Sequence, residues 1–359
     1  MSPRRATLGL VVLLVLTGGL LVGLSTGAAN SGHPDTATTL TNTTTTATVP
    51  EPVVTAVTQP TLQKLPGTGR PVVLLGDGNT PEQFIIGQLY MVALEQEGYK
   101  VTLYRNIGTP HLRAVALENN HLDLYPEYLG EWNSAVARLH RRFQTLHASL
   151  RAARKYARTR GFELLPPTPF SDTSCVAVLS QYAAANHIDS IPQLARDGPI
   201  IFGAPIVFAT GTDGVPALQH AYHLDPDYVQ PIGDGLQYRW LGSGNVQAAY
   251  CSTTDPALGG PNYVQLRDPK HVFGHGNVVP VTTAHVLRVE GKTFARTIEK
   301  IDSLLTQRAM RGLNAEDQLG GHLPTPIAEQ FLAGNGILPR VRYAPVPTTT
   351  STSAASTDT

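Results

Sequence analysis

His271 and His275 lie four residues apart, the spacing that sets two imidazoles on one helix face where they can share a metal. Here they flank Val272-Phe273-Gly274, which reads as loop or strand, so no metal site is expected. Cys175 and Cys251 lack the spacing of a zinc site, and two cysteines are too few for a disulfide framework. No HExxH, G-x-S-x-G or Walker segment is present, and Gly76-Asp77-Gly78 is too short for a dinucleotide fingerprint. The residue types that remain suit recognition better than catalysis. Asn79 and Thr80 sit where a strand gives way to a helix, and open α/β sheets bind ligands at such carboxyl-end turns.

The elements that must position them follow from local patterning. Thr80 can cap a helix, Pro81 fits its first position, and Gln83 stands three residues after the cap. Ile85, Leu89 and Val92 follow at i, i+4 and i+7, which predicts one buried face. Gly98 supplies a left-handed stop. Strands are predicted at Val72–Leu75, Val101–Tyr104 and Leu122–Tyr125, then at Cys175–Leu179 and Ile200–Phe202. Asp213-Gly214 opens a helix carrying Leu218 and Tyr222. Phe294, Ile298, Ile301 and Leu305 mark the core face of a late helix, and a closing helix follows Pro326. Alternating strands and helices argue for α/β layers.

Lys and Arg number 27 and Asp and Glu number 27, so the chain is formally neutral and offers no general nucleic-acid-binding surface. One segment departs from that balance. From Arg138 to Arg160 there are basic residues at 138, 141, 142, 151, 154, 155, 158 and 160 and no acidic ones, either a solvated helix face or a docking or lipid-facing patch. At the N-terminus, Arg4 and Arg5 precede an apolar run of 17 residues, Leu8–Leu24, between a signal peptide and a membrane span in length. No cysteine lies near it, so no lipoprotein anchor is expected. Residues 36–61 are rich in Thr, Pro and Val, and residues 345–359 in Thr and Ser, compositions that cannot bury a core. The remainder, about 275 residues, is enough for two domains.

The stretch Leu74–Glu131 adds a more specific signal. A polar turn enters a helix at Thr80-Pro81-Glu82-Gln83, the second strand begins Glu97-Gly98-Tyr99-Lys100-Val101, and Asp123-Leu124-Tyr125-Pro126-Glu127-Tyr128 precedes Gly130. Further on come Phe170-Ser171-Asp172-Thr173-Ser174, Asp213-Gly214, Ala249-Tyr250-Cys251-Ser252-Thr253-Thr254-Asp255 and the segment Val272–Val281. In this order they resemble the substrate-binding proteins of ABC importers for quaternary amines such as glycine betaine, choline and proline betaine. The resemblance spans roughly residues 70–340. It implies an α/β, two-lobed, type II periplasmic-binding-protein-like fold with two crossing hinge strands and the ligand between the lobes. Residues 1–29 are then a signal peptide or membrane anchor, 30–69 a linker, 70–169 with 273–343 the first lobe, 170–272 the second, and 344–359 a tail. Both cysteines fall in the second lobe of an exported chain, which leaves a disulfide open, given Cα atoms within about 7 Å.

Such a family holds quaternary ammonium on aromatic faces and carboxylate on cations or hydroxyls. Carried over residue by residue, the resemblance makes Tyr128 the cage tyrosine, Asp172, Thr173 and Asn277 polar contacts, and Phe208 a retained aromatic. Ser174 stands where a cage aromatic is expected, Gly276 in place of a tyrosine with His275 beside it, Gly78 for a lysine, Glu131 for a threonine and Gly211 for an arginine. Gly276 is expected to open volume and Glu131 to favour a cation. The expected function is an extracytoplasmic solute receptor of an ABC importer with a diverged pocket at Asn79, Thr80, Tyr128, Glu131, Asp172, Thr173, Ser174, Phe208, His275 and Asn277. The alternative is a cell-surface binding or sensor module on the same scaffold. Expected partners are a small solute and a membrane permease; no cofactor, nucleic acid or enzymatic activity is expected.

Overall fold

The computed structural model describes residues 64–233 and 235–339. The expected signal or anchor, most of the expected linker and the C-terminal tail lie outside the described residues. Strand β1 (Val72–Gly76) runs into helix α1 (Pro81–Gln96) and returns through β2 (Lys100–Tyr104), paired in parallel with β1. The Thr80 hydroxyl accepts from the Gln83 N–H at 3.2 Å, Pro81 occupies the first turn, and Gly98 takes φ +85° past the helix end. The single buried face expected of α1 is an underestimate. Ile85, Ile86, Leu89, Tyr90, Ala93 and Leu94 are all buried, whereas Val92 is only partly so. The helix is enclosed by the sheet and by the helices Lys292–Leu304 and Pro324–Gly334, so it needs apolar residues nearly all round. Each fully buried aliphatic chain contributes about 1.5–3 kcal/mol.

Helix α2 (Pro110–Glu118), capped by Thr109, leads to β3 (Tyr125–Tyr128). The third strand therefore starts later than expected from Leu122–Tyr125. Leu124 makes one parallel bridge to Leu75, and the Asp123 carboxylate takes the Leu74 N–H at 2.8 Å, after which the chain pairs elsewhere. A second sheet has the order β3-β10-β4, where β4 is Phe162–Leu164 and β10 is Val278–Thr283. The other lobe is built on one five-stranded sheet, β7-β6-β8-β5-β9, from β5 (Ser174–Leu179), β6 (Ile201–Ala204), β7 (Tyr228–Pro231), β8 (Ala248–Ser252) and β9 (Tyr263–Gln265). Cys175 and Cys251 face each other across β5 and β8 with Cα atoms 4.9 Å apart, and they form a disulfide.

Two segments cross between the lobes side by side. The Thr168 N–H donates to the Val278 carbonyl at 2.9 Å, and the Asp172 N–H to the Gly276 carbonyl at 3.0 Å. The Asn277 amide donates to the carbonyls of Thr168 and Phe170 at 2.9 and 3.0 Å. Gly276 does not open space, as its place in the sequence suggests. A Cβ there would lie 1.6 Å from the Asp172 carbonyl oxygen, so the missing side chain is what lets the crossings approach. A third connection comes from the helix Gln307–Gln318. Arg311 donates from Nε to the Thr253 carbonyl at 2.8 Å and from Nη1 to the Leu258 carbonyl at 3.0 Å; Gln307 also donates to Thr253 at 2.8 Å.

Candidate functional site between the lobes

Two groups of side chains meet at the crossings. The first is a buried polar cluster. Glu82, in the first turn of α1, accepts from the Tyr128 hydroxyl at 2.7 Å and from the Asn314 amide at 2.8 Å. Asn314 also donates to the Thr254 carbonyl at 3.2 Å, tying the two lobes together. Asp172, on the first crossing, accepts from the Ser252 hydroxyl at the end of β8. Neither Glu82 nor Asp172 forms an ion pair among the described residues. Burial, then the nearby Asp172 charge, pushes the Glu82 carboxyl up to about 7 against the pull of its hydrogen bonds. Asp172 is raised too, again mainly by burial. Two carboxylates thus share a junction without a cation between them.

The second group lines open space. A cavity of about 390 Å³ has Thr173, Ser174, His275, Asn277, Phe273 and Gln307 in its walls. A second, of about 270 Å³, shares Ser174, Phe273 and His275 and adds Arg141, Arg142 and Phe143. The His275 Nε2 lies 3.1 Å from the Phe143 carbonyl, a contact spanning the two cavity walls. Burial lowers the His275 pKa, the neighbouring His271 adding to it, so the ring stays neutral near pH 7.

The residues singled out in the sequence therefore divide. Thr173, Ser174, His275 and Asn277 gather around the larger cavity. Thr80, Tyr128 and Asp172 gather at the carboxylate cluster, Thr80 also serving as helix cap. Asn79 is exposed. Glu131 is exposed and stands 3.7 Å from Arg113, whose buried guanidinium is clamped on Glu127 at 2.9–3.2 Å. Phe208 lies apart, buried against Phe202, Tyr250 and Phe273. Tyr128 is only 6 % exposed, with its hydroxyl committed to Glu82. The sequence reading missed Glu82, Ser252, Thr254 and Asn314. A glutamate in a first helical turn reads as an ordinary dipole partner, and nothing local reveals its burial.

Two α/β lobes, paired crossings and a polar cleft define a solute-binding receptor of the periplasmic-binding-protein class. Residues 71–334 match the family described as the substrate-binding domain of ABC-type glycine betaine transport systems, and the chain belongs to that family. It is a non-enzymatic substrate-binding protein of a quaternary-amine ABC importer, and such proteins act outside the cytoplasm. A glycine-betaine-binding protein of Pseudomonas aeruginosa is 26% identical over 276 residues, covering 74% of this chain and 88% of the relative. The glycine betaine-binding protein YehZ of Escherichia coli is 24% identical over 282 residues, 74% of this chain and 90% of the relative. Among solved structures, a glycine betaine/carnitine/choline ABC transporter protein has the same fold, with a TM-score of 0.69 at 22% identity over 74% of this chain and 99% of its own.

Proposed function

We infer that the chain is the receptor of an ABC importer whose pocket has moved away from glycine betaine toward a cation without a carboxylate. The observation that carries this reading is buried Glu82 and half-buried Asp172 beside Tyr128, with no ion-pair partner among the described residues. Burial is the main cause that raises both carboxyls, and a bound cation would stabilise their charged forms. Gly78 and Gly211 supply no cationic side chain where the family resemblance places the carboxylate holders, and the Arg113 guanidinium beside Gly78 is committed to Glu127. Gly78 has no spare room either, since a Cβ there would meet the Gln83 carboxamide at 1.4 Å. In this reading Tyr128 and Asp172 meet the cation, and Thr173, Ser174, His275 and Asn277 shape the polar wall. Asn79, Thr80, Glu131 and Phe208 are outlying contributors. Because Tyr128 is nearly closed off, ligand reaches it only when the lobes part.

Titration calorimetry with choline and glycine betaine tests this. Choline, or another carboxylate-free ammonium, is expected to bind more tightly; tight binding of glycine betaine alone would overturn the reading. A ligand at 100 times its dissociation constant should add about 2.7 kcal/mol of stability. The N-terminal apolar run is assigned to export, as a signal or retained anchor, with a membrane permease as partner. The replacement of cage positions by Ser174 and Gly276 favours, as a second reading, a surface binding or sensor module. Solute uptake measured after deletion of the gene separates the two, since only a transport receptor makes uptake depend on this chain.

A further inference from the structure

The basic segment 138–160 folds into a loop followed by the helix Leu146–Thr159, capped by the Thr145 hydroxyl on the Ala148 N–H at 3.2 Å. The helix buries Ser149, Leu150, Ala153 and Ala157 against the rest of the lobe. His147, Arg151, Arg154, Lys155 and Arg158 stand at i, i+4, i+7, i+8 and i+11. At 3.6 residues per turn these five occupy an arc of roughly 100°, away from the buried side. Arg154 spends part of its guanidinium on the carbonyls of Leu164 and Leu165. Arg141, Arg142, Arg151, Lys155 and Arg158 form no ion pair among the described residues.

The stripe continues to the cleft. One depression along the helix is lined by Arg151, Arg154, Lys155 and Arg158, and the next by Arg141, Arg142, Arg151 and Lys155. Arg141 and Arg142 also line the smaller interlobe cavity, where Asp213 is the single acidic neighbour. A cationic track therefore runs from the mouth of the cleft along the whole helix, on a chain whose net charge is zero.

We propose that this track rests on an anionic membrane surface, its arginines and lysine on lipid phosphates, and so turns the cleft mouth toward the bilayer. Guanidinium groups pair bidentately with phosphate, and long basic side chains lie over the acyl boundary while their heads reach the phosphates. A protein interface needs buried aromatic or aliphatic anchors at its centre. Among the described residues lining the two depressions along the helix, the one large aromatic is Phe143, already covered by the Arg141 guanidinium at 4.7 Å. The apolar run Leu8–Leu24 behind Arg4 and Arg5, in the reading that retains it as an anchor, would hold this domain near a bilayer.

The test uses the full chain reconstituted in vesicles, with His147→Cys labelled by a fluorophore; both native cysteines are in the disulfide, so the new thiol is unique. Energy transfer to an acceptor on the lipid headgroups reads how near the helix lies. Transfer is expected to be at least threefold higher in vesicles containing 30–40 % phosphatidylglycerol than in pure phosphatidylcholine, as an electrostatic contact requires. It should fall to the phosphatidylcholine level in about 0.5 M salt. The variant Arg151→Glu/Lys155→Glu/Arg158→Glu should lose the difference while keeping its melting temperature within a few degrees. Milder Gln substitutions serve if the Glu variant does not fold. Equal transfer in both lipids, or a difference that survives charge removal, overturns the proposal. So does transfer that stays low in both lipids, the result expected if the track docks an acidic protein.

Discussion

Glu82 is the side chain on which most of the site's behaviour converges. Its carboxyl titrates near 4.5 when unfolded and at about 7 in the folded protein. Between those values the folded state holds a proton that the unfolded state has lost, so stability must fall as pH rises from about 5 to about 7.5. Asp77, raised to about 6 by burial, acts with the same sign. The melting temperature should therefore decline across this range, and Glu82→Gln should flatten the decline by removing one contributor. An unchanged slope in the variant would mean that Glu82 is not protonated by folding. Tyr128→Phe removes a hydroxyl donor from a buried carboxylate, which costs about 1–3 kcal/mol, measurable by urea unfolding at pH 8. At pH 5, where Glu82 carries a proton, the cost should be smaller.

At the scale of elements, the crossing ribbon is the sensitive part. Gly276→Ala forces a Cβ into the Asp172 carbonyl and should cost about 1–3 kcal/mol or more. Gly312→Ala is the matched contrast. It lies inside the helix Gln307–Gln318 with nothing within 4 Å of a new Cβ, so it should stabilise by about 0.5–1 kcal/mol. Parallel thermal melts check both signs. Elements whose cause is local were legible in the sequence: the Thr80 cap, the Gly98 stop and the fully buried series Phe294, Ile298, Ile301, Leu305. The third strand was misplaced because Asp123 and Leu124 are held by β1 through one bridge and a few hydrogen bonds that leave no periodic trace. Gly276 was misread for a similar reason. A glycine in a sequence shows a side chain lost, and only its neighbour across the ribbon shows what the space is for.

For the molecule as a whole, the lobes are joined by more than two strands. Arg311 and Gln307 both reach the Thr253 carbonyl, and Asn314 links Glu82 to Thr254. Arg311→Ala should loosen that strap, seen as faster amide exchange at residues 252–258 with little change in the Pro81–Gln96 helix. Equal exchange in both regions would place the strap outside the lobe coupling. These contacts lie at separations of 54–60 residues or more, which explains why the candidate site was only half visible beforehand. Crossing residues such as Thr173 and Asn277 carry a recognisable motif. Ser252, which donates to Asp172, and Asn314, which donates to Glu82, are short polar residues, common on any surface.

The bond between Cys175 and Cys251 has a practical side. It ties two central strands of one sheet at directly opposed positions, and a disulfide typically adds about 2–4 kcal/mol. A newly made chain in a reducing cytosol lacks that contribution, so the second lobe reaches its full stability only in an oxidising compartment. Recombinant material from an ordinary cytoplasm would carry a softer second lobe than the native receptor. Ligand screens on such material would under-report binders, because the wall formed by Thr173, Ser174 and their neighbours begins at the very strand the bond secures.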